Sequence, residues 1–159
     1  VASLLDLRLA CVAGSVALGR AAELAAGEQR EKAVRLGRLR DELAARIRAA
    51  IPDAVWIAED GPRAPHVLSV AIPGADAEAL LMHLDLQGVA ASGGSACNTG
   101  AAEPSHVLTA MGVPRALALC TVRFSLGRET VPADIDRAAE VFPAVVAKVR
   151  KLAGVLGRA

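Results

Sequence analysis

The chain has 159 residues, enough for one domain with a hydrophobic core of its own. It carries 18 basic and 17 acidic residues, a formal net charge of +1, and only 2% aromatic residues. Such a chain offers neither the electrostatic field nor the aromatic platform that nucleic-acid binding uses, so we expect no direct nucleic-acid partner. Although 53% of the residues are hydrophobic, no apolar run has transmembrane length, and we expect no membrane partner.

The cysteines and the N-terminal segment bear on the compartment. Cys11, Cys97 and Cys120 are unevenly spaced and include no Cys-x-x-Cys pair, which suggests neither a disulfide framework nor a zinc ribbon. Asp6 and Arg8 interrupt the apolar start of the chain, which is therefore unlike an export signal. We expect a cytoplasmic protein.

Helices and strands alternate along the chain. Apolar spacing and turn residues predict a helix at 15–50, strands at 54–58 and 66–72, a helix from Asp76 to Gly88, a brief extended segment at 89–91, a short helix from Pro104 to Gly112, a strand at 121–126 and a helix at 132–152. Gly27 is a candidate for a bend in the first helix. This order predicts an α+β fold with a small, largely antiparallel sheet covered by helices, including a long N-terminal and a long C-terminal helix.

Helical spacing also predicts which side chains of the two long helices face the core. They are Leu36, Leu39, Leu43 and Ile47 in the first helix and Ile135, Ala139, Phe142, Val146, Val149 and Leu152 in the last.

The segment around Cys97 contains three glycines and three small hydroxyl side chains. Its other members are Ser92, Gly93, Gly94, Ser95, Ala96, Asn98, Thr99 and Gly100. These residues disfavour regular structure and leave little bulk to shield the sulfur, so we predict a mobile loop with a reactive thiol at Cys97. By contrast, Cys11 lies in an apolar run and Cys120 adjoins a predicted strand, so we expect both to be structural.

Arg123 interrupts the otherwise apolar and hydroxyl-bearing strand at 121–126. A guanidinium in such a strand needs an anionic partner to offset its desolvation. Two interpretations stay open, an internal salt bridge to Glu103 or Asp134 and a carboxylate of a substrate, which guanidinium geometry matches in a bidentate way.

Other chemistries find little support in the sequence. Nucleotide-binding glycine motifs and the hydrolase nucleophile elbow are absent. A metal site would have to combine Cys97, Cys120, His83 and His106, whose spacing fits no compact ligand motif, so we expect none.

Three segments together carry a family resemblance. They are Ser92 to Gly100, Glu103-Pro104-Ser105-His106-Val107-Leu108, and Val122-Arg123-Phe124-Ser125-Leu126-Gly127-Arg128. In order and spacing they resemble the C-terminal part of cysteine desulfurases, which are class V aminotransferase-like enzymes of fold-type I that use pyridoxal 5'-phosphate. The cysteine segment is similar to that of group I, which supplies iron–sulfur cluster assembly and nitrogen-fixation systems.

The resemblance implies a role for two residues. Cys97 matches the nucleophile that takes sulfur from L-cysteine, leaving L-alanine and a persulfide, and Arg123 matches the arginine that binds the substrate carboxylate. It also implies a homodimeric complete enzyme, with an iron–sulfur scaffold or another sulfur-acceptor protein as partner.

The cofactor machinery of that family is missing from the chain. Its Ser-x-His-Lys signature is absent, and the three lysines, Lys32, Lys148 and Lys151, lie on predicted helices in polar contexts. Residues 12–159 therefore resemble the small C-terminal domain without the large cofactor-binding domain, while residues 1–11 match no family pattern. We expect no cofactor-binding residue in this chain and no desulfurase activity from the chain alone.

Two other interpretations of the isolated chain stay open. It would be a stand-alone persulfide carrier if Cys97 accepts sulfur from another protein. It would be a non-catalytic interaction or regulatory module if it binds a partner without using Cys97.

Overall fold

The computed structural model describes the backbone of residues 4–93 and 103–156 and the side chains of residues 11–93 and 103–154. It divides the chain into two compact units, residues 1–35 and 36–159. Its elements are α1 (Leu4–Ala50), β1 (Val55–Trp56), β2 (Val67–Ala71), α2 (Ala77–Asp85), β3 (Ser92–Gly93), α3 (His106–Ala110), α4 (Arg115–Ala118), β4 (Thr121–Ser125) and α5 (Pro132–Leu156). The predicted α+β class, with a long helix near each end, is confirmed.

The first unit is helical. Helix α1 begins at Leu4, earlier than the predicted Ser15, and continues through Gly27 without a break. Every side chain from Cys11 to Gly27 is exposed. The expectation that Cys11 packs as a small hydrophobic residue is therefore wrong, because its helix presents that position to solvent.

The second unit is built on a four-stranded sheet with strand order β1-β2-β4-β3. All three strand pairs are antiparallel. Strand β1 is only two residues long, since Ala58 adopts a positive φ of 57° that extended backbone does not allow. The extension predicted at 89–91 occurs at Ser92–Gly93 instead, where the chain pairs with β4.

The main core of this unit covers one face of the sheet. Alternation along β2 and β4 places Leu68, Val70, Val122 and Phe124 in this core. The helices contribute apolar side chains at helical spacing, as predicted for Leu36, Leu39, Leu43, Ile47, Ile135, Phe142, Val146 and Val149. Ala139 is partly buried against this core, and Leu152 is the exception at 49% exposed.

A smaller cluster lies apart from the main core. It consists of Ile57, Ala71, Leu108, Ala118 and Cys120. Two short helices, α3 and α4, contribute Leu108 and Ala118 to it. The sequence predicted α3 but missed α4, whose single turn is too short for apolar periodicity to be visible.

Helix α2 has the predicted capping residues. Asp76 Oδ2 accepts a hydrogen bond from Ala79 N at 2.9 Å, as an N-cap does. Gly88, with φ of 74°, takes the left-handed conformation that follows the helix. Within the described ranges, no helix combines the length and hydropathy needed to cross a membrane.

Candidate functional site

Arg123 lies in the middle of β4, which has paired strands on both sides. Its cross-strand partners are Ser69 on β2 and Ser92 on β3. Directly opposed residues of a pleated sheet project from the same face, so the guanidinium stands in a row between two hydroxyl side chains. Its neighbours in β4, Val122 and Phe124, belong to the main core, which places Arg123 on the opposite face.

The Ser92 hydroxyl contacts both the side chain and the backbone of Arg123. Arg123 Nε donates a hydrogen bond to Ser92 Oγ at 3.1 Å. The same hydroxyl donates to the backbone carbonyl oxygen of Arg123 at 3.4 Å. A hydroxyl has one proton and two lone pairs, so it serves both bonds at once. The Ser92 hydroxyl on β3 therefore bridges the Arg123 side chain and the Arg123 backbone.

No described acidic side chain lies within ion-pair distance of the Arg123 guanidinium. Asp134 instead accepts a hydrogen bond from Val131 N at 2.9 Å, and Glu103 is exposed. The interpretation of Arg123 as half of a salt bridge to Glu103 or Asp134 is therefore wrong for the described structure. Among the described residues, the half-buried guanidinium has one hydroxyl, that of Ser92, as its hydrogen-bond partner.

A cavity of about 250 Å³ opens beside this arginine. The residues that line it are Ile57, Ala58, Arg63, Ala64, Val67, Ser69, Val107, Leu108, Met111 and Arg123. Its second cation, Arg63, has the carboxylate of Asp41 at 3.7 Å. Arg123 is thus the cation of this cavity that has no carboxylate nearby in the part of the chain that the structure describes. A largely apolar cavity lined by two cations, one of them paired, is a typical site for a small organic anion.

The predicted nucleophile lies outside the described residues. Of the segment around Cys97, the structure describes only Ser92 and Gly93, which it places in β3. Gly94, Ser95, Ala96, Asn98, Thr99 and Gly100 fall with Cys97 in the part that is not described. The reactive thiol and the mobile loop stay predictions. The segment that contains them begins with β3, which pairs with the strand of Arg123.

Cys120 is buried as predicted, and burial raises the pKa of its thiol above the usual range. Its Sγ donates to the carbonyl oxygen of Leu117 at 3.4 Å. Such a thiol is protonated at neutral pH and a poor nucleophile. Among the described residues, no group of three or more His, Cys, Asp or Glu side chains is arranged to hold a metal ion.

Sequence reasoning missed two hydroxyl groups. Ser92 was predicted as a loop residue, and no sequence pattern shows that its Oγ meets Arg123. Ser105 is 2% exposed, and its Oγ has no hydrogen-bond partner among the described residues. It precedes α3 without capping it, although its place before the helix is typical of an N-cap.

The three lysines do not form a cofactor site. Lys32 pairs with Glu28 on the same helix, while Lys148 and Lys151 are exposed on α5. A Schiff-base lysine needs a desolvated pocket or a neighbouring cation that lowers its pKa. These three lysines therefore do not fit the Schiff-base role that pyridoxal phosphate needs.

Comparison with known proteins identifies the family. The sequence profile of the class-V aminotransferases matches residues 10–138. The chain belongs to the aminotransferase class-V family. Relatives in this family from several bacteria are described as cysteine desulfurases, which confirms the resemblance seen in the motifs.

Two relatives illustrate the level of similarity. The cysteine desulfurase of Gluconacetobacter diazotrophicus is 42% identical over 142 residues, which cover 89% of this chain and 35% of that protein. The IscS-like cysteine desulfurase of Mycobacterium tuberculosis is 43% identical over 143 residues, which cover 89% of this chain and 36% of the relative. The chain thus spans about a third of the length of the class-V relatives that it matches.

A solved structure agrees with this assignment. The NifS-like protein from Rickettsia africae superposes with a TM-score of 0.70 at 27% identity, over 81% of this chain and 33% of the other. The fold therefore agrees with the family assignment made from the sequence.

Proposed function

We propose that this chain is the small C-terminal domain of a group I cysteine desulfurase. Residues 12–159 form that domain, and Arg123 binds the carboxylate of L-cysteine while Cys97 receives its sulfur. The observation that carries the proposal is the half-buried Arg123 guanidinium, which faces a cavity of about 250 Å³ and has no described carboxylate partner.

Arg123 offers its carboxylate ligand a favourable environment. Its cavity is largely apolar, so water competes only weakly with a charge-assisted hydrogen bond that forms there. Bidentate binding by a guanidinium also fixes the orientation of an amino acid, because two parallel bonds define a plane. The rest of the substrate is then directed by the position of its carboxylate.

The sulfur step is balanced without an added oxidant. The thiolate of Cys97 attacks the sulfur of L-cysteine, and a sulfur–sulfur bond forms as the carbon–sulfur bond breaks. The carbon takes a proton in place of sulfur and leaves as L-alanine, so carbon is reduced while sulfur is oxidised to the persulfide. The persulfide then passes to an iron–sulfur scaffold or another acceptor protein.

The cofactor must be held elsewhere. Pyridoxal 5'-phosphate is the cofactor that the family resemblance implies, and no lysine of this chain fits it. We infer that the remaining two thirds of a protein of the relatives' length supplies the site. The complete enzyme then works as a cytoplasmic homodimer.

Arg123→Ala tests the substrate role. We expect this variant of the complete, cofactor-loaded enzyme to raise the KM for L-cysteine by about tenfold or more, because a hydrogen-bonded charge pair is lost. The measurement is L-alanine release over a range of L-cysteine concentrations. Arg137→Ala is the matched control, because it removes an exposed arginine that pairs with Glu140 on α5.

Two further measurements complete the test. Mass spectrometry of the enzyme after reaction should find one extra sulfur on the peptide that contains Cys97, and none there in Cys97→Ala. Purified residues 1–159 with pyridoxal phosphate and L-cysteine should release no L-alanine. An unchanged KM in Arg123→Ala would remove the carboxylate role, and catalytic release by the chain alone would overturn the domain assignment.

A further inference from the structure

We propose that Ser92 is a positioning residue that sets how Arg123 binds a carboxylate. The proposal rests on the function proposed above and adds the mode of binding. Ser92 holds the Nε edge of the guanidinium, so the carboxylate is bound end-on, by Nη1 and Nη2. The hydroxyl acts through Arg123 and does not contact the substrate.

The argument starts from the two ways in which a guanidinium meets a carboxylate. Two parallel hydrogen bonds form either from Nε and one terminal nitrogen or from the two terminal nitrogens. Arg123 Nε has a single proton, and it is directed to Ser92 Oγ at 3.1 Å. The side-on mode is therefore closed while this bond exists, and within residues 4–93 and 103–156 neither terminal nitrogen has a hydrogen-bond partner.

The second step concerns rigidity. An arginine side chain loses considerable rotamer entropy when it is fixed in one geometry. Here the guanidinium is held before substrate arrives, because Ser92 Oγ also donates to the Arg123 carbonyl oxygen at 3.4 Å. The resulting chain of bonds runs from Nε–H through the hydroxyl to the backbone, and each bond polarises the next. Part of the rotamer entropy of Arg123 is thus lost when the chain folds and not when substrate binds.

The third step is that backbone pairing fixes Ser92 itself. The described part of strand β3 is Ser92–Gly93, and it pairs with β4 at Ser92↔Arg123 and Gly93↔Val122. The other neighbour in the row, Ser69, lines the cavity together with Arg123 but has no hydrogen bond to its guanidinium. Of the two serines that lie opposite Arg123, Ser92 therefore has the positioning role.

Three substitutions separate the hydroxyl from the shape of the side chain. Ser92→Ala removes the oxygen, Ser92→Thr keeps it on a branched side chain, and Ser92→Val has nearly the shape of threonine without the oxygen. Both branched residues are favourable in a strand, so the threonine and valine variants should fold alike. Ser125→Ala is the matched control, because this exposed serine lies in β4 two positions from Arg123 without bonding to it.

The measurements use the complete, cofactor-loaded enzyme. The KM and kcat for L-cysteine are determined together with inhibition constants for two competitors. One, 3-mercaptopropionate, keeps the thiol and the carboxylate but lacks the amine. The other, cysteamine, keeps the thiol and the amine but lacks the carboxylate.

We expect Ser92→Ala and Ser92→Val to raise the KM for L-cysteine and the inhibition constant of 3-mercaptopropionate by about threefold to tenfold, the effect of one net hydrogen bond. The inhibition constant of cysteamine and kcat should not change. Ser92→Thr and Ser125→Ala should behave as wild type. A merely structural role would move the constants of both competitors together.

Two outcomes would overturn the proposal. In one, the alanine and valine variants keep wild-type constants for 3-mercaptopropionate. In the other, threonine is as damaging as valine. If Arg123→Ala raises the KM while the serine variants do not, the positioning role alone is lost. If Arg123→Ala also has no effect, the carboxylate role under "Proposed function" is lost as well.

Discussion

Two cysteines of the described structure differ in their surroundings. Cys11 is exposed on α1, whereas Cys120 is buried beside β4 in the smaller apolar cluster. Burial raises the pKa of the Cys120 thiol, because a thiolate loses hydration in an apolar environment. Burial therefore lowers the fraction of Cys120 thiolate near neutral pH, and the thiolate is the form that alkylation needs.

Maleimide labelling tests this difference. In the Cys97→Ser background, Cys11 should react at pH 8 and Cys120 should stay unmodified until urea unfolds the chain. Peptide mass spectrometry at a series of times gives both rates in one sample. Comparable labelling of the two cysteines in the native protein would contradict the burial of Cys120.

At the scale of elements, the packing of α5 on the sheet includes an aromatic pair. Phe142 of α5 is fully buried and meets Phe124 of β4 edge to face, with ring centroids 5.2 Å apart and planes at 84°. Edge-to-face pairs add attraction beyond the burial of apolar area. Ten residues along the same helix, Leu152 is 49% exposed and outside this core.

Alanine substitutions on α5 should therefore have unequal effects. We expect Phe142→Ala to lower the free energy of unfolding by about 3–5 kcal/mol, because it leaves a cavity and removes the aromatic pair. Leu152→Ala should cost less than about 0.5 kcal/mol, as is usual for a surface position. Urea denaturation followed by circular dichroism measures both, and equal losses would place Leu152 in the core.

How far each element could be predicted follows from its length and its local signals. Helix α5 and strand β2 were predicted because apolar periodicity extends over enough residues. The capping of α2 was predicted because Asp76 and Gly88 act through local geometry. Strand β3 and the bond between Ser92 and Arg123 depend on a pairing across 31 residues, which no local pattern specifies.

In the second unit as a whole, an ion pair links two distant parts of the chain. Arg150 on α5 donates to both carboxylate oxygens of Asp53, which follows α1, at 2.6 and 3.2 Å. Arg150 also donates to the carbonyl oxygen of Pro73 at 2.7 Å. The hydrogen bond from Arg150 lowers the pKa of Asp53 below its usual value.

This pKa shift makes part of the stability depend on pH. A carboxylate whose pKa is lower in the folded state stabilises the fold above its unfolded pKa of about 3.9, and the contribution disappears as the pH falls through the folded pKa. We expect Asp53→Asn to lower the Tm at pH 7 and to approach wild type below pH 4. Thermal melts across this range measure the difference, with Asp60→Asn, an exposed aspartate, as control. A pH-independent gap would indicate a steric cause.

The exposed helix of the first unit has a practical consequence for work with the protein. From Cys11 to Gly19 the chain carries no charge, and every side chain there is exposed, including Val12, Val16 and Leu18. Exposed apolar surface of this kind promotes self-association in solution. A polypeptide that starts at Leu36 keeps the main core and lacks this stretch, so we expect it to self-associate less than residues 1–159.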